Sequence, residues 1–288
     1  MEFAEFAGSV VLFLLMLLVG LELSPADFRR VLQSPRAIVG GTLAQWILLP
    51  LMTWLVVDAV GVNPVFGAGA ILVAVAPGAG ISNIFTAVAR ANTALSVTLT
   101  ATASVFAVVT LPMFSSLAVR FFLDESLTVE IPVGLLVGQL ALTLLLPITF
   151  GMLVRIRFPA EARRLAPHLQ RFTALLIAIV VAVLIAVTPE EQTHFGGSGR
   201  ALIAATIWTV SAMAIGWGTA RALRLPSEDR FAFLIEFSAR NVAVAVIVGI
   251  SGLGRVDLSF FAGVYMLVGY PLAAAAVLWR RWRLGSHP

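Results

Sequence analysis

Runs of about twenty apolar residues, separated by short polar connections, recur from one end of this 288-residue chain to the other. Inside such a run no water reaches the backbone, so every N–H and C=O must be paired internally, which only a helix or a closed barrel achieves. A barrel would show short segments of alternating polarity. These runs are continuous, and the chain reads as an all-α polytopic membrane protein. Its composition agrees: 60% of residues are hydrophobic and 12% charged, against about 25% charged in soluble domains. Mean hydropathy is +1.00.

Nine spans are expected: about 3–23, 37–57, 66–91, 93–122, 131–153, 172–187, 201–223, 227–250 and 258–278. The first carries Glu2 and Glu5 but no basic residue ahead of its apolar core, so it reads as a retained span and not as a signal peptide. All 19 basic residues are arginine. With nine spans, alternate connections share a side with the C terminus, and 15 arginines fall there. Arg120, Arg200 and Arg255 fall on the other, and Arg240 lies within a span. The positive-inside rule then places the N terminus outside and the C terminus in the cytoplasm of a multi-pass cell-membrane protein. Trp54, Trp279 and Trp282 read as interface anchors; Trp46, Trp208 and Trp217 are given no role beyond packing.

Two of the spans are interrupted. The eighth contains Glu236-Phe237-Ser238-Ala239-Arg240-Asn241, which puts a carboxylate, a guanidinium and an amide at bilayer depth. Ionisable groups there are costly and mark a cavity, a partner or an ion pathway. The third contains Pro77-Gly78-Ala79-Gly80-Ile81-Ser82-Asn83. Each break ends in an asparagine and leads into an apolar half-helix. Standing five spans apart, the two segments run in opposite senses, the pattern of inverted repeats with a binding site near the midplane. Spans one to four (about 3–122) pair with six to nine (about 172–279), leaving the fifth unpaired within a single transmembrane domain.

A broken helix exposes amides and carbonyls. The new N termini suit an anion, with Gly80, Ile81, Arg240 and Asn241 as candidate contacts. Freed carbonyls and side-chain oxygens suit a small hard cation. Ser96, Thr100 and Ser104 recur at four-residue spacing and share one helix face; the plainer reading is that such hydroxyls bond back to their own helix. Likewise Pro77-Gly78 reads alternatively as a packing kink, Glu236 with Arg240 as a structural ion pair, and Gln45 as a helix-packing glutamine.

Several chemistries are excluded. There is no cysteine or lysine, and His168, His194 and His287 lie outside the spans. A membrane enzyme would lack both nucleophile and metal centre, so no catalytic residue is assigned. Arginine-rich connections are accounted for by topology, without nucleic acid. No protein partner is evident; the expected partners are the lipid bilayer and a small organic anion.

At Gly20-Leu21-Glu22-Leu23 with Asp27-Phe28-Arg29-Arg30, then Pro77-Gly78 through Ser82-Asn83, then Thr93-Ala94-Leu95-Ser96-Val97-Thr98, the chain resembles the bile acid:sodium symporter family over nearly its whole length. The resemblance implies panel and core subdomains, a nine-span form and two broken helices that cross in the core. It implies a first sodium site from Ser82, Asn83, Ser96, Thr100 and Glu236. It implies a second from Gln45, Glu236, the carbonyls of Phe237 and Ala239, and the side chain at 240, where the family usually carries glutamine. Here that residue is arginine. A guanidinium has donors only and cannot ligate a cation.

Arg240 is therefore expected to stand in for the second sodium as a built-in cation paired with Glu236 and Gln45, or else to bind the substrate's anionic group. The function implied is alternating-access transport of an organic anion such as a bile acid, steroid sulfate or small carboxylate, coupled to one Na+. A proton-coupled or uncoupled carrier, and a membrane sensor that binds without transporting, are the alternatives.

Overall fold

The computed structural model describes residues 34–123, 146–187 and 198–285, with isolated positions between 10 and 29. The expected first and fifth spans, and the connection 188–197, fall largely outside these residues.

Local signals set the helix boundaries. Helix α1 (Pro35–Val60) starts with proline at its first position and stops where Gly61 takes φ +64°; proline's missing N–H costs nothing at a helix start. Glycine enters the left-handed region without a Cβ penalty. Helix α2 (Pro64–Val75) begins at Asn63, whose side chain accepts from Val65 N–H at 2.9 Å. It ends two residues before Pro77, because the residue preceding proline is pushed out of the helical region; Ala76 has φ −57° and ψ 145°. The chain resumes as α3 (Gly80–Val88).

Helix α4 (Thr93–Phe122) is capped by Asn92 and bends by 63° between its Thr93–Ala107 and Val109–Phe122 parts. Pro112 accounts for the bend, since its ring displaces the carbonyl four residues back, at the joint. Residues 146–157 are helical. Helix α5 (Pro159–Val187) starts thirteen residues earlier than the span expected from 172. Arg163, Arg164 and Arg171 thus lie on a helix and not in a connection, because polar residues continue a helix as readily as apolar ones, and the helix runs on through Pro167.

Helix α6 (Ser198–Ala222) is followed by α7 (Ser227–Ser238), which carries Glu228 and Asp229 in its first turn, where the helix dipole favours them. After the second break come α8 (Val242–Ile247), a π-helical turn (Val248–Gly252), a short 3-10 turn (Asp257–Ser259) and α9 (Phe260–Gly285). Helices α1, α6 and α9 are each long and apolar enough to cross a membrane, and α4 makes a fourth if its bent parts form one span. Ile47, Val109, Leu267 and Leu278 point outward, each more than half exposed. This is the surface of a protein solvated by lipid.

Helix α6 packs against α1, α7 and α9, and α2 against α1 and α4. One end of the assembly gathers α3, α4, α7 and α9. There Asn92 Nδ2 donates to Asp229 at 2.8 Å, and Arg280 donates to the Ala89 carbonyl at 3.1 Å while lying 4.7 Å from the Phe231 ring.

Candidate functional site

The two breaks are paired with each other. Gly78 and Arg240 form an isolated antiparallel bridge. Ala79 N–H donates to the Ala239 carbonyl at 3.0 Å, and Asn241 N–H to the Pro77 carbonyl at 2.9 Å. Each interrupted helix thereby satisfies the backbone groups the other has freed, as a low-dielectric interior requires. Ala239, whose carbonyl is an expected cation ligand, spends that carbonyl on this pairing. Phe237 is buried and stacks on Phe233 with centroids 5.7 Å apart.

On one side of the junction lies a cluster of oxygens. The Glu236 carboxylate accepts from Ser82 Oγ at 2.7 Å and Ser96 Oγ at 3.1 Å on one oxygen, and from Thr100 Oγ1 at 2.7 Å on the other. Ser96 Oγ lies 2.9 Å from Asn83 Oδ1. All five residues of the expected first cation site, drawn from α3, α4 and α7, thus converge. Glu236, Ser82 and Ser96 are fully buried and Thr100 is 7% exposed. Thr86, which the sequence did not single out, adds a hydroxyl 3.4 Å from Ser96. Ser104 does not join them; it donates to the Thr100 carbonyl of its own helix at 2.8 Å, the plainer reading for hydroxyls on that face. At Gly78 no side chain fits, because a Cβ there would coincide with the Glu236 carboxylate.

Arg240 occupies different ground. Its guanidinium, 1% exposed, donates to Gln45 Oε1 at 2.6 Å, to the carbonyl of Glu236 at 3.3 Å, to that of Ala74 at 3.2 Å and to that of Ala76. The expected pairing with Gln45 is present. The expected ion pair with the Glu236 side chain is not: Arg240 takes that residue's carbonyl, while three hydroxyls take the carboxylate. The physical reason is the break itself. Residues four apart face each other only on a continuous helix, and α7 ends at Ser238 with Ala239 at φ −102°, ψ 76°. Arg240 is thus redirected to the C-terminal carbonyls of α2, where a cation is favoured.

Of the four residues expected to face an anion, Gly80, Ile81 and Asn241 are half-buried at the starts of α3 and α8, whereas Arg240 is enclosed. Asn241 also caps α8 by accepting from Val244 N–H at 3.2 Å.

The tyrosines were not anticipated. Tyr265 accepts from Arg240 N–H at 2.9 Å and donates to the Ser238 carbonyl; Tyr270 donates to the Arg240 carbonyl at 2.8 Å. These are the only two tyrosines in the chain, and both go to the second break. A phenol hydroxyl in an apolar span needs a partner, a signal that would have marked both tyrosines but not the break they serve. Trp208, given only a packing role, is fully buried, stands edge-on to Tyr265 at 5.2 Å and donates to Thr53 Oγ1 at 2.7 Å.

The donor set is all oxygen with one formal charge, which suits a hard, singly charged cation. Among the described residues no group of three or more His, Cys, Asp or Glu side chains gathers to hold another metal.

Comparison with known proteins agrees with the motifs. The chain is 27% identical over 271 residues to the Arabidopsis thaliana protein named "Probable sodium/metabolite cotransporter BASS1, chloroplastic", covering 92% of this chain and 65% of that one. It is 26% identical over 269 residues to "Uncharacterized sodium-dependent transporter YocS" of Bacillus subtilis, covering 92% of this chain and 81% of that one. To the human "P3 protein" it is 24% identical over 254 residues, spanning 52% of its length. The plant and human relatives are therefore longer than this chain. Residues 9–194 match the Sodium Bile acid symporter family, and the chain belongs to that family.

Proposed function

We propose that the protein is a sodium-coupled carrier of an organic anion, with one Na+ held at the Glu236 cluster and Arg240 fixed where a second would otherwise bind. The observation that carries the reading is the division of labour around Glu236. Its carboxylate collects the hydroxyls of Ser82, Ser96 and Thr100, and its carbonyl goes to Arg240. For Na+ to enter, the three hydroxyls rotate so that their lone pairs, with Asn83 Oδ1 and the carboxylate, face the ion. A guanidinium bonded to Gln45 Oε1, itself an expected ligand of the second ion, sets a fixed positive charge that opposes that ion.

The organic anion approaches the half-buried starts of α3 and α8, where Gly80, Ile81 and Asn241 lie. Nine spans, two inverted repeats and movement of a core against a panel supply alternating access in this reading. The arginine-rich end, where Arg90, Arg224 and Arg280 lie, faces the cytoplasm.

The test is uptake into proteoliposomes under a sodium gradient, with the sodium response fitted for its Hill coefficient. The native protein is expected to give a value of about one, since the coefficient cannot exceed the number of coupled sites. Arg240→Gln is expected to raise it towards two by restoring an amide oxygen. A native coefficient clearly above one, or an unaltered sodium response in Arg240→Gln, rules out the built-in cation. Within the cluster, Thr100→Val keeps the shape and removes one ligand. A roughly tenfold weaker sodium affinity is expected, the size of one lost polar contact. Ser104→Ala, one turn along the same face, should leave affinity unchanged.

A further inference from the structure

Glu236 and Arg240 are the only Asp, Glu, Lys, Arg or His side chains among the buried described residues, at 0% and 1% exposure. Neither is cancelled by a partner of its own. The carboxylate is held by three neutral hydroxyls, and the guanidinium by a neutral amide and three backbone carbonyls. Among the described residues, each is therefore the other's only buried counter-charge across the junction. With no ligand the junction sums to zero.

We infer that the transport cycle is electroneutral, moving one sodium ion together with one singly charged anion. This rests on the one-sodium reading above and adds the charge balance of every state the carrier visits. Sodium alone brings the buried sum to +1. Net charge enclosed in an apolar interior costs several kcal/mol, so that state is held back from crossing. A singly charged anion returns the sum to zero and releases the carrier. A dianion leaves −1 and is disfavoured by the same argument. The empty carrier, again at zero, returns without carrying charge. Coupling then follows from electrostatics: the two neutral states move and the charged one does not. The driving force is the sodium concentration ratio alone, and the membrane potential does no work on either limb.

The experiment uses the full chain in proteoliposomes, with taurocholate, estrone sulfate and pyruvate as singly charged probes. The potential is clamped by a potassium gradient with valinomycin, at zero or at about 100 mV inside negative. Sodium-driven uptake of any probe that moves is expected to reach the same plateau at both potentials, with sodium and anion fluxes in a ratio of one to one. A cycle carrying one positive charge inward would raise the plateau about 50-fold at about 100 mV. Sodium-driven uptake with such a rise, or with two sodium ions per anion, overturns electroneutrality and leaves sodium-coupled transport standing. Movement of none of the probes, with or without sodium, overturns both.

Discussion

Glutamine in place of Glu236 is expected to abolish sodium-stimulated uptake and to destabilise the protein by about 3–5 kcal/mol, the cost of leaving one partner of a buried charge pair uncompensated. The substitution preserves volume, and the hydroxyls of Ser82, Ser96 and Thr100 can rotate to meet an amide, so packing contributes little to the loss. What remains is Arg240, buried with neutral acceptors and no opposing charge. The decisive comparison is the double variant Glu236→Gln with Arg240→Gln, measured by equilibrium unfolding in mixed micelles. It should recover most of the stability of the native protein while recovering none of the sodium response. If its loss equals the sum of the two single losses, the charges do not balance each other, because independent sites add.

Alanine at position 78 is expected to weaken sodium binding at least tenfold and to cost about 1–3 kcal/mol, the usual range for overpacking an interior. The added methyl would occupy the Glu236 carboxylate's place. The backbone cannot retreat, because both neighbours of Gly78 are tied to the second break through Pro77–Asn241 and Ala79–Ala239. The carboxylate must therefore leave its hydroxyls. Sodium-dependent thermal stabilisation reads the effect directly, since a ligand specific to the native state raises apparent stability. Gly263→Ala is the control: a Cβ there meets nothing within 4 Å. Equal behaviour of the two variants would mean that the tight fit at Gly78 has no bearing on the ion.

Much of this was legible in residue order. Pro77 announces its break because it cannot donate and restricts the residue before it. The polar hexad announces the other because four polar side chains in six residues have no place on a lipid-facing helix. Apolar continuity gave α1, α6 and α9 their approximate limits, and Asn241 marked the end of the second break; the caps at Asn63 and Asn92 came from the structure.

Other features depend on geometry that no spacing encodes. Glu236 and Arg240 are four apart, which suggests a helical ion pair, yet the helix ends at Ser238 and the non-helical Ala239 turns the guanidinium to a different helix. Sequence distance also hid the tyrosines: Tyr265 and Tyr270 serve a break 25 and 30 residues earlier in the chain. The start of α5 was missed because an arginine-rich stretch marks a membrane boundary, and helices do not stop at membrane boundaries.

The pairing of the breaks also governs how the protein is made. Pro77 and Ala79 enter the bilayer long before Asn241 and Ala239 exist, and the three hydroxyls that receive Glu236 precede it by 136 to 154 residues. Until the second interrupted helix arrives, the first holds open backbone groups in lipid, each costing several kcal/mol. Pairing of the breaks therefore has to wait until α7 and the residues after it have been synthesised. A nascent chain ending before Ser227 would be held back by the cell's quality control, whatever the soundness of its individual helices.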